Sequence, residues 1–287
     1  MKKKNTSIEI TVVGKDRKGV IADITNFIFS NDGNIDELNQ NVVNGLFGMH
    51  LKASFENIQK ENINLGMIDL GKKLEMEIKI HFQEPERIKN VAIFVSKEAH
   101  CLTELLDSKI QGKLLADKVV VIGSENSLKS VAKIYKVPFY HVIHKEQAKA
   151  ELEILRILEK YNVDLIVLGR YMRILTPNFV WRYPNRIINI HPSLLPAFPG
   201  AYAYVQAYER GAKIVGCTAH FVTEELDQGP IICQDSFRVV QKDTIKTIQS
   251  RGQKLESKTL LAAVLLYLSD KLEVNWGKVI IMKARDN

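Results

Sequence analysis

Cysteine is scarce in this chain. Its 287 residues include three, Cys101, Cys217 and Cys233, an odd number with no metal-like spacing. That argues against a disulfide framework and fits reduced thiols in a cytoplasmic protein. No apolar run approaches the ~20 residues that cross a bilayer, so no membrane partner is expected. The basic start, Met1-Lys2-Lys3-Lys4, is not followed by an apolar signal region; Ile8 to Val13 instead alternates like a strand. Internal repeats and low-complexity segments are missing too. Charge of one sign does not cluster: 40 Lys and Arg against 33 Asp and Glu leave a net +7, with the lysines scattered among acids. Such a surface implies no nucleic-acid partner, only a mild attraction for anionic ligands. What the chain does have is a 46% apolar fraction and enough length for two modest domains.

The first stretch predicts a compact unit. A strand at about 8–13 turns at Asp16-Arg17-Lys18-Gly19 into an amphipathic helix over about 20–30, with Ile21, Ile24, Phe27 and Ile28 on one face. Asn31-Asp32-Gly33-Asn34 stops it. Strands at about 35–43 and 47–56 meet at Asn44-Gly45, a hairpin dipeptide that accepts positive φ. A helix at about 60–74 and a strand at about 75–82 complete a β-α-β-β-α-β order, that of the ferredoxin-like sandwich. Asp16-Arg17-Lys18-Gly19-Val20-Ile21-Ala22 with Gly33-Asn34-Ile35 resembles the entry of ACT domains. The resemblance implies pairing of ACT domains into a homo-oligomer and an amino-acid effector held by Asp16, Gly19, Val20 and Asn34. Locally, Gly19 permits a tight turn that leaves helix amides free for a carboxylate; a plain turn that needs glycine reads equally well.

Gln83 to Asn90 is polar, contains Pro85 and reads as a linker, which divides the chain into an ACT-like domain at 1–84 and a second domain at 85–287. From there strands at about 91–96, 118–122, 164–168 and 186–190 alternate with helices at about 101–111, 126–135 and 146–161. That predicts an α/β fold with a doubly wound, mostly parallel, Rossmann-like sheet. Ile214 to Val222 and Ile231 to Val240 are later strands, and Thr244 to Leu268 is a long helix. Trp181 and Trp276 read as packing residues. His141 and His144, three apart near a strand-like segment, have no third ligand and read as structural or exposed.

In an open parallel sheet, ligands bind outside the carboxyl ends of the strands. Arg186-Ile187-Ile188-Asn189-Ile190-His191 is a strand ending in two polar side chains on one face, and Pro192, Pro196 and Pro199 stiffen its exit loop. Leu226-Asp227-Gln228-Gly229-Pro230 sets a carboxylate in a turn before another strand. An amide, an imidazole and a carboxylate suit addition to a carbonyl: Asn189 and protonated His191 for the oxyanion, Asp227 to hold His191 and steer water or an amine. Each also has a plain reading, as a turn cap, a core histidine and a turn opener.

Asn189-Ile190-His191-Pro192-Ser193-Leu194-Leu195-Pro196, with Gly169 to Leu175 upstream and His220 to Pro230 downstream, resembles the signature of the folate-dependent formyltransferase family over about 91–283. The resemblance implies that Asn189, His191 and Asp227 are the catalytic trio. It implies further that Met172, Arg173, Ile174 and Leu175, with Thr223, Glu224 and Leu226, hold the folate, Met172 and Ile174 as apolar walls. His100, at a helix start, could cap the helix or line the cleft. No metal and no cofactor are implied, the folate being substrate.

The first strand of this domain opens into Ser96-Lys97-Glu98-Ala99-His100-Cys101-Leu102, which has no glycine to cradle phosphate and carries a glutamate that repels it. This block is similar to that of formyltetrahydrofolate deformylases, which also carry an amino-terminal ACT domain and whose acceptor is water. The implied activity is hydrolysis of 10-formyltetrahydrofolate to tetrahydrofolate and formate, open to regulation by glycine or methionine. Formyl transfer to a small amine and a sensor without turnover are the alternatives. The chain departs from the deformylase pattern at Pro192 and Leu194 (usually His and Phe), at Tyr202 and Val205 (usually Arg and His), and at Gly123-Ser124-Glu125 (usually Ser-Asn-His).

Overall fold

The computed structural model describes residues 5–56, 59–82 and 87–282. The chain divides into two compact units, Met1–Glu86 with Thr176–Pro184, and Arg87–Leu175 with Asn185–Asn287. The 84/85 boundary expected from the sequence lies outside the described residues, as does the Gln83–Glu86 part of the expected linker.

Unit one runs β1 (Asn5–Lys15), α1 (Val20–Ser30), β2 (Gly33–Val43), β3 (Leu46–Glu56), α2 (Lys60–Leu74) and β4 (Met76–Phe82). The four strands form one antiparallel sheet in the order β2-β3-β1-β4. Asn44 and Gly45 both have positive φ, 50° and 75°, the backbone of the two-residue turn that their types predict. On α1 the buried row is Val20, Ile24 and Ile28, spaced at i+4, while Ile21 is exposed; the helix is rotated so that Val20 rather than Ile21 enters the core. These side chains pack on Ile8, Ile10, Val12, Met49, Leu51 and Phe55 from the sheet.

The Thr176–Pro184 segment contributes a short helix and two anchors to this unit. Trp181 lies flat enough on Gly48 that a Cβ there would come within 2.2 Å of its ring. Arg182 chelates the Glu77 carboxylate, Nη2 to Oε2 at 2.7 Å. Gly48→Val should therefore overpack the contact and cost about 1–3 kcal/mol, read as a lower midpoint in thermal unfolding; an unchanged midpoint would mean that Trp181 is free to leave.

Unit two is built on β5 (Val91–Val95), α3 (His100–Ile110), β6 (Val119–Gly123), α4 (Lys129–Ile134), β7 (Phe139–His141), α5 (Gln147–Lys160), β8 (Leu165–Leu168) and β9 (Ile187–His191). Between β8 and β9 lies α6 (Pro177–Val180), capped by the Thr176 hydroxyl. After β9 come α7 (Ala203–Glu209), β10 (Ile214–Phe221), β11 (Ile231–Arg238), α8 (Ile245–Leu268) and a hairpin of β12 (Leu272–Asn275) and β13 (Lys278–Ile281). The seven-stranded sheet has the order β11-β10-β9-β8-β5-β6-β7, parallel from β9 to β7 and antiparallel at β10 and β11. Strands β5, β6 and β8 are buried at every position, as parallel strands covered on both faces must be. The chain runs outward from β5 to β7, returns to β8 on the other side of β5, and then continues away from it. The carboxyl ends of β5 and β8 therefore flank the topological switch point, and β9 is next in line. Trp276, expected to pack, stands 96% exposed at the tip of the β12–β13 hairpin. Its φ of +49° with Gly277 at +71° makes it a turn residue. Among the described residues no helix is long and apolar enough to cross a membrane.

Candidate active site

Strand β9 leaves the core as Ile187-Ile188 and ends with Asn189 and His191 on alternate positions, so both side chains reach the same face at the carboxyl edge of the sheet. His191 is buried, and both of its ring nitrogens face acceptors. Nδ1 lies 3.2 Å from Asp227 Oδ2 and Nε2 lies 2.9 Å from the Phe198 carbonyl oxygen. A carbonyl oxygen can only accept, so the hydrogen of this contact lies on Nε2.

Asp227 sits between β10 and β11 at φ 57°. Its turn hugs β10 so closely that a Cβ on Gly229 would fall 1.7 Å from the Phe221 carbonyl oxygen, which is why glycine stands there. The Gly200 N–H donates to Asp227 Oδ2 at 2.8 Å. Burial pushes the Asp227 carboxyl up, but the His191 and Gly200 hydrogen bonds and the two nearby imidazoles outweigh it and hold the group below its ordinary value. Asp227 is thus a carboxylate with one oxygen engaged and the other, Oδ1, facing His220 Nε2 at 3.9 Å.

His220 is the member of the site that motif reading left unassigned. It pairs with Asn189 across the β9–β10 ladder. Its Nδ1 donates to the Phe221 carbonyl at 2.8 Å, and burial lowers its tendency to take a second proton. Nε2 of the neutral ring then accepts from Asn189 Nδ2 at 3.2 Å. This fixes the Asn189 amide, and among the described residues its second Nδ2 hydrogen meets no acceptor. The exit loop after His191 is tied to the sheet by Thr218, whose hydroxyl donates to the Ser193 carbonyl at 2.7 Å and accepts from Leu195 N–H at 3.0 Å. Gln234 donates to the Leu195 carbonyl at 3.0 Å and so holds the same loop.

The residues expected to hold a folate fall into two groups. Met172, Ile174 and Leu226 are large apolar side chains left 61%, 68% and 53% exposed on loops at the carboxyl edge of the sheet, as the walls of an open cleft would be. Arg173 is exposed as well, and Thr223 and Glu224 are half-buried. Leu175 turns into the core and can offer only its backbone. Met172 N–H donates to Ser96 Oγ at 3.0 Å, which fastens this loop to the end of β5.

His100 belongs to a separate cluster over the switch point. Glu256 on α8, with no exposed surface, accepts from Tyr204 at 2.6 Å and lies 3.2 Å from His100 Nε2 and 3.5 Å from Arg170 Nε. Arg170 in turn grips Glu98 through Nε and Nη2, both at 3.3 Å. Burial pushes Glu256 up, and His100, Arg170 and Tyr204 together override it, so the group stays ionised below the usual carboxylate range. His100, Cys101 and Glu256 are close enough to share one ion, but the donor chemistry does not fit a metal. Glu256 is already saturated, and burial pushes the Cys101 thiol far up, away from the thiolate that a metal needs. Cys233, raised to about 11 by burial, and Cys217, to about 12, are equally unsuited to act as nucleophiles.

In unit one, Gly19 opens α1 at φ 93° with Asp16 exposed beside it, and the Val20 side chain is buried, so that only its amide could meet a ligand. Asn34 donates instead to Asp36 at 2.7 Å.

Residues 89–264 match the family model described as Formyl transferase. A formyltetrahydrofolate deformylase from Bacillus subtilis is 39% identical over 93% of this chain and 90% of its own length. Among solved structures, a formyltetrahydrofolate deformylase from Pseudomonas syringae pv. tomato superposes with a TM-score of 0.67 at 32% identity, covering 97% of this chain and 95% of that one. A glycinamide ribonucleotide transformylase from Symbiobacterium toebii superposes with a TM-score of 0.66 at 32% identity, covering 71% of this chain and 97% of that one.

Proposed function

The chain belongs to the formyltetrahydrofolate deformylase family, within the formyl transferases, and we propose from that premise that its site performs the reaction of which its relatives bear the name. It hydrolyses 10-formyltetrahydrofolate to tetrahydrofolate and formate. The observation that carries the assignment of roles is the His191 ring lying between the Asp227 carboxylate and a carbonyl, beside an Asn189 amide with a hydrogen to spare.

Water attacks the formyl carbon and gives a proton to Asp227 Oδ1. The carbonyl oxygen, now an oxyanion, is met by the spare Asn189 Nδ2 hydrogen and by the His191 Nε2–H. Collapse of the adduct breaks the bond from carbon to the folate nitrogen, which takes the proton back from Asp227, and formic acid leaves, releasing its remaining proton to solvent as formate. Fixed donors aimed at the developing charge act here without reorganisation. Met172, Ile174 and Leu226 would flank the pterin, with the backbone of Arg173 to Leu175 and of Thr223 and Glu224 supplying polar contacts.

The ground above β5 and β8 supports water as acceptor over a phosphorylated amine. Arg170, the cation there, is spent on Glu98 and Glu256, and two carboxylates disfavour a phosphorylated partner. Unit one is read as an ACT domain on its strand order. It is expected to bind an amino-acid effector at Asp16, Gly19, Val20 and Asn34 and to pair into a homo-oligomer. The test is formate release from 10-formyltetrahydrofolate in amine-free buffer, repeated with a panel of small amines. Release at the same rate in both is the expected result; release only when an amine is added would make the protein a transferase.

A further inference from the structure

One short stretch of chain grips both ends of the His191–Asp227 pair. The Phe198 carbonyl takes the hydrogen of His191 Nε2, and two residues later the Gly200 amide donates to Asp227 Oδ2. The stretch adopts a costly backbone to do so. Phe198, Gly200 and Tyr202 all have positive φ, 52°, 80° and 59°. For the two non-glycine residues that conformation costs about 1–3 kcal/mol each and persists only where the surroundings impose it. What imposes it is the Phe198 ring. It packs on a small apolar cluster of Tyr204, Ala207, Val215 and Ile248, and the Arg210 guanidinium stands over it at 5.4 Å.

We propose that Phe198 is a positioning residue of this site, its ring anchoring the Ala197–Gly200 strap so that the strap's carbonyl fixes the His191 ring through Nε2 and its amide aims Asp227. The inference rests on the hydrolase reading. A second acceptor on Nε2 keeps there the proton that the formyl oxygen takes as its hydrogen bond when it arrives. The titratable groups that face His191 are Asp227, which supplies the charge, and His220, which burial keeps neutral. Without the strap, Nε2 loses its acceptor and the ring and Asp227 lose their mutual alignment. The side chain of Phe198 touches no reacting atom; it acts through its own carbonyl.

The test compares Phe198→Ala with Phe198→Leu, which refills the apolar cluster. Phe198→Ala should lower kcat for formate release by roughly 10–100-fold, the scale of a misplaced catalytic group, with KM much less affected. It should also break the hydrogen bond between His191 Nε2–H and the strap carbonyl. Phe198→Leu should restore both. Proton NMR gives a readout independent of turnover: the hydrogen-bonded His191 Nε2–H should resonate far downfield in the wild type and leave that position in Phe198→Ala. If Phe198→Ala fails to fold, Arg210→Gln, which removes the cation over the ring, should move both readouts the same way by a smaller amount. A lowered melting temperature with an unchanged kcat and an unmoved Nε2–H resonance would overturn the proposal. Absence of formate from the wild type would sink the hydrolase reading instead, and the NMR comparison would still decide this one.

Discussion

Replacing Asp227 with Asn should slow formate release by roughly 10²–10⁴-fold, the usual loss when an acid–base group is removed, while folate affinity stays close to that of the wild type. The asparagine carbonyl can still accept from the Gly200 amide and from His191, both of which contact the same oxygen in the wild type, so the turn and the histidine keep their places. What goes is the base for the attacking water and the negative charge beside His191. Both losses fall on the chemical step, so kcat drops and KM does not rise. The pH dependence has a definite sign. His191 and the Gly200 amide hold the Asp227 carboxyl below its ordinary value of 3.8. The base is therefore ionised at neutral pH, and its contribution is lost only as pH falls through that lowered value. The acid limb of the wild-type profile should lie below the usual carboxylate range and be missing from the variant. A His191→Ala variant should lose as much, and the two losses should not add, because the pair acts as a unit. A nearly normal rate in Asp227→Asn would remove the carboxylate from the mechanism.

The meeting of Asn189, His191 and Asp227 at the sheet edge was legible in the sequence because its signals are local. Asn189 and His191 alternate at the end of an apolar strand, and Asp227 precedes a Gly-Pro turn. His220 lay inside one of the same sequence blocks, yet its role depends on the antiparallel register that sets it opposite Asn189, and pairing between strands leaves no mark in a single chain. Glu256 did leave a mark. It falls in line with Gly252, Leu260 and Ala263, all buried on α8, so a charge stood on the stripe that faces the core. Such a charge is retained only where partners await it, and those come from the start of α3, the loop after β8 and α7, three segments remote in sequence. The β12–β13 hairpin also had its signal in Trp276-Gly277 between alternating residues; the reading of Trp276 as a core residue hid it. Segment Thr176–Pro184 illustrates a different limit. Its helix cap is local and readable, whereas its clustering with unit one depends on Trp181 meeting the bare backbone of Gly48, a fact of tertiary packing alone.

Glu256→Gln should cost about 3–5 kcal/mol, the range for breaking a buried ionic cluster by removing one partner. Glutamine preserves the volume and can still accept from Tyr204, so the loss is of charge. Arg170 would keep Glu98 as its partner, but Glu98 is itself part exposed and shared with Gln253. His100 would face an amide where it faced a carboxylate 3.2 Å away. For a unit of this size the loss corresponds to a melting temperature lower by on the order of 10 °C. The pH dependence separates this account from simple misfit. In the folded chain Glu256 is held below its ordinary value of 4.5, so its ionic contribution is complete above that value and is lost as pH falls through the lowered folded one. The gap between wild type and variant should therefore be widest from mildly acidic to neutral pH and should close in acid. A gap that stays constant down to acid pH would mean that the variant suffers from packing, and that the buried carboxylate contributes no net charge stabilisation to the crevice that it spans.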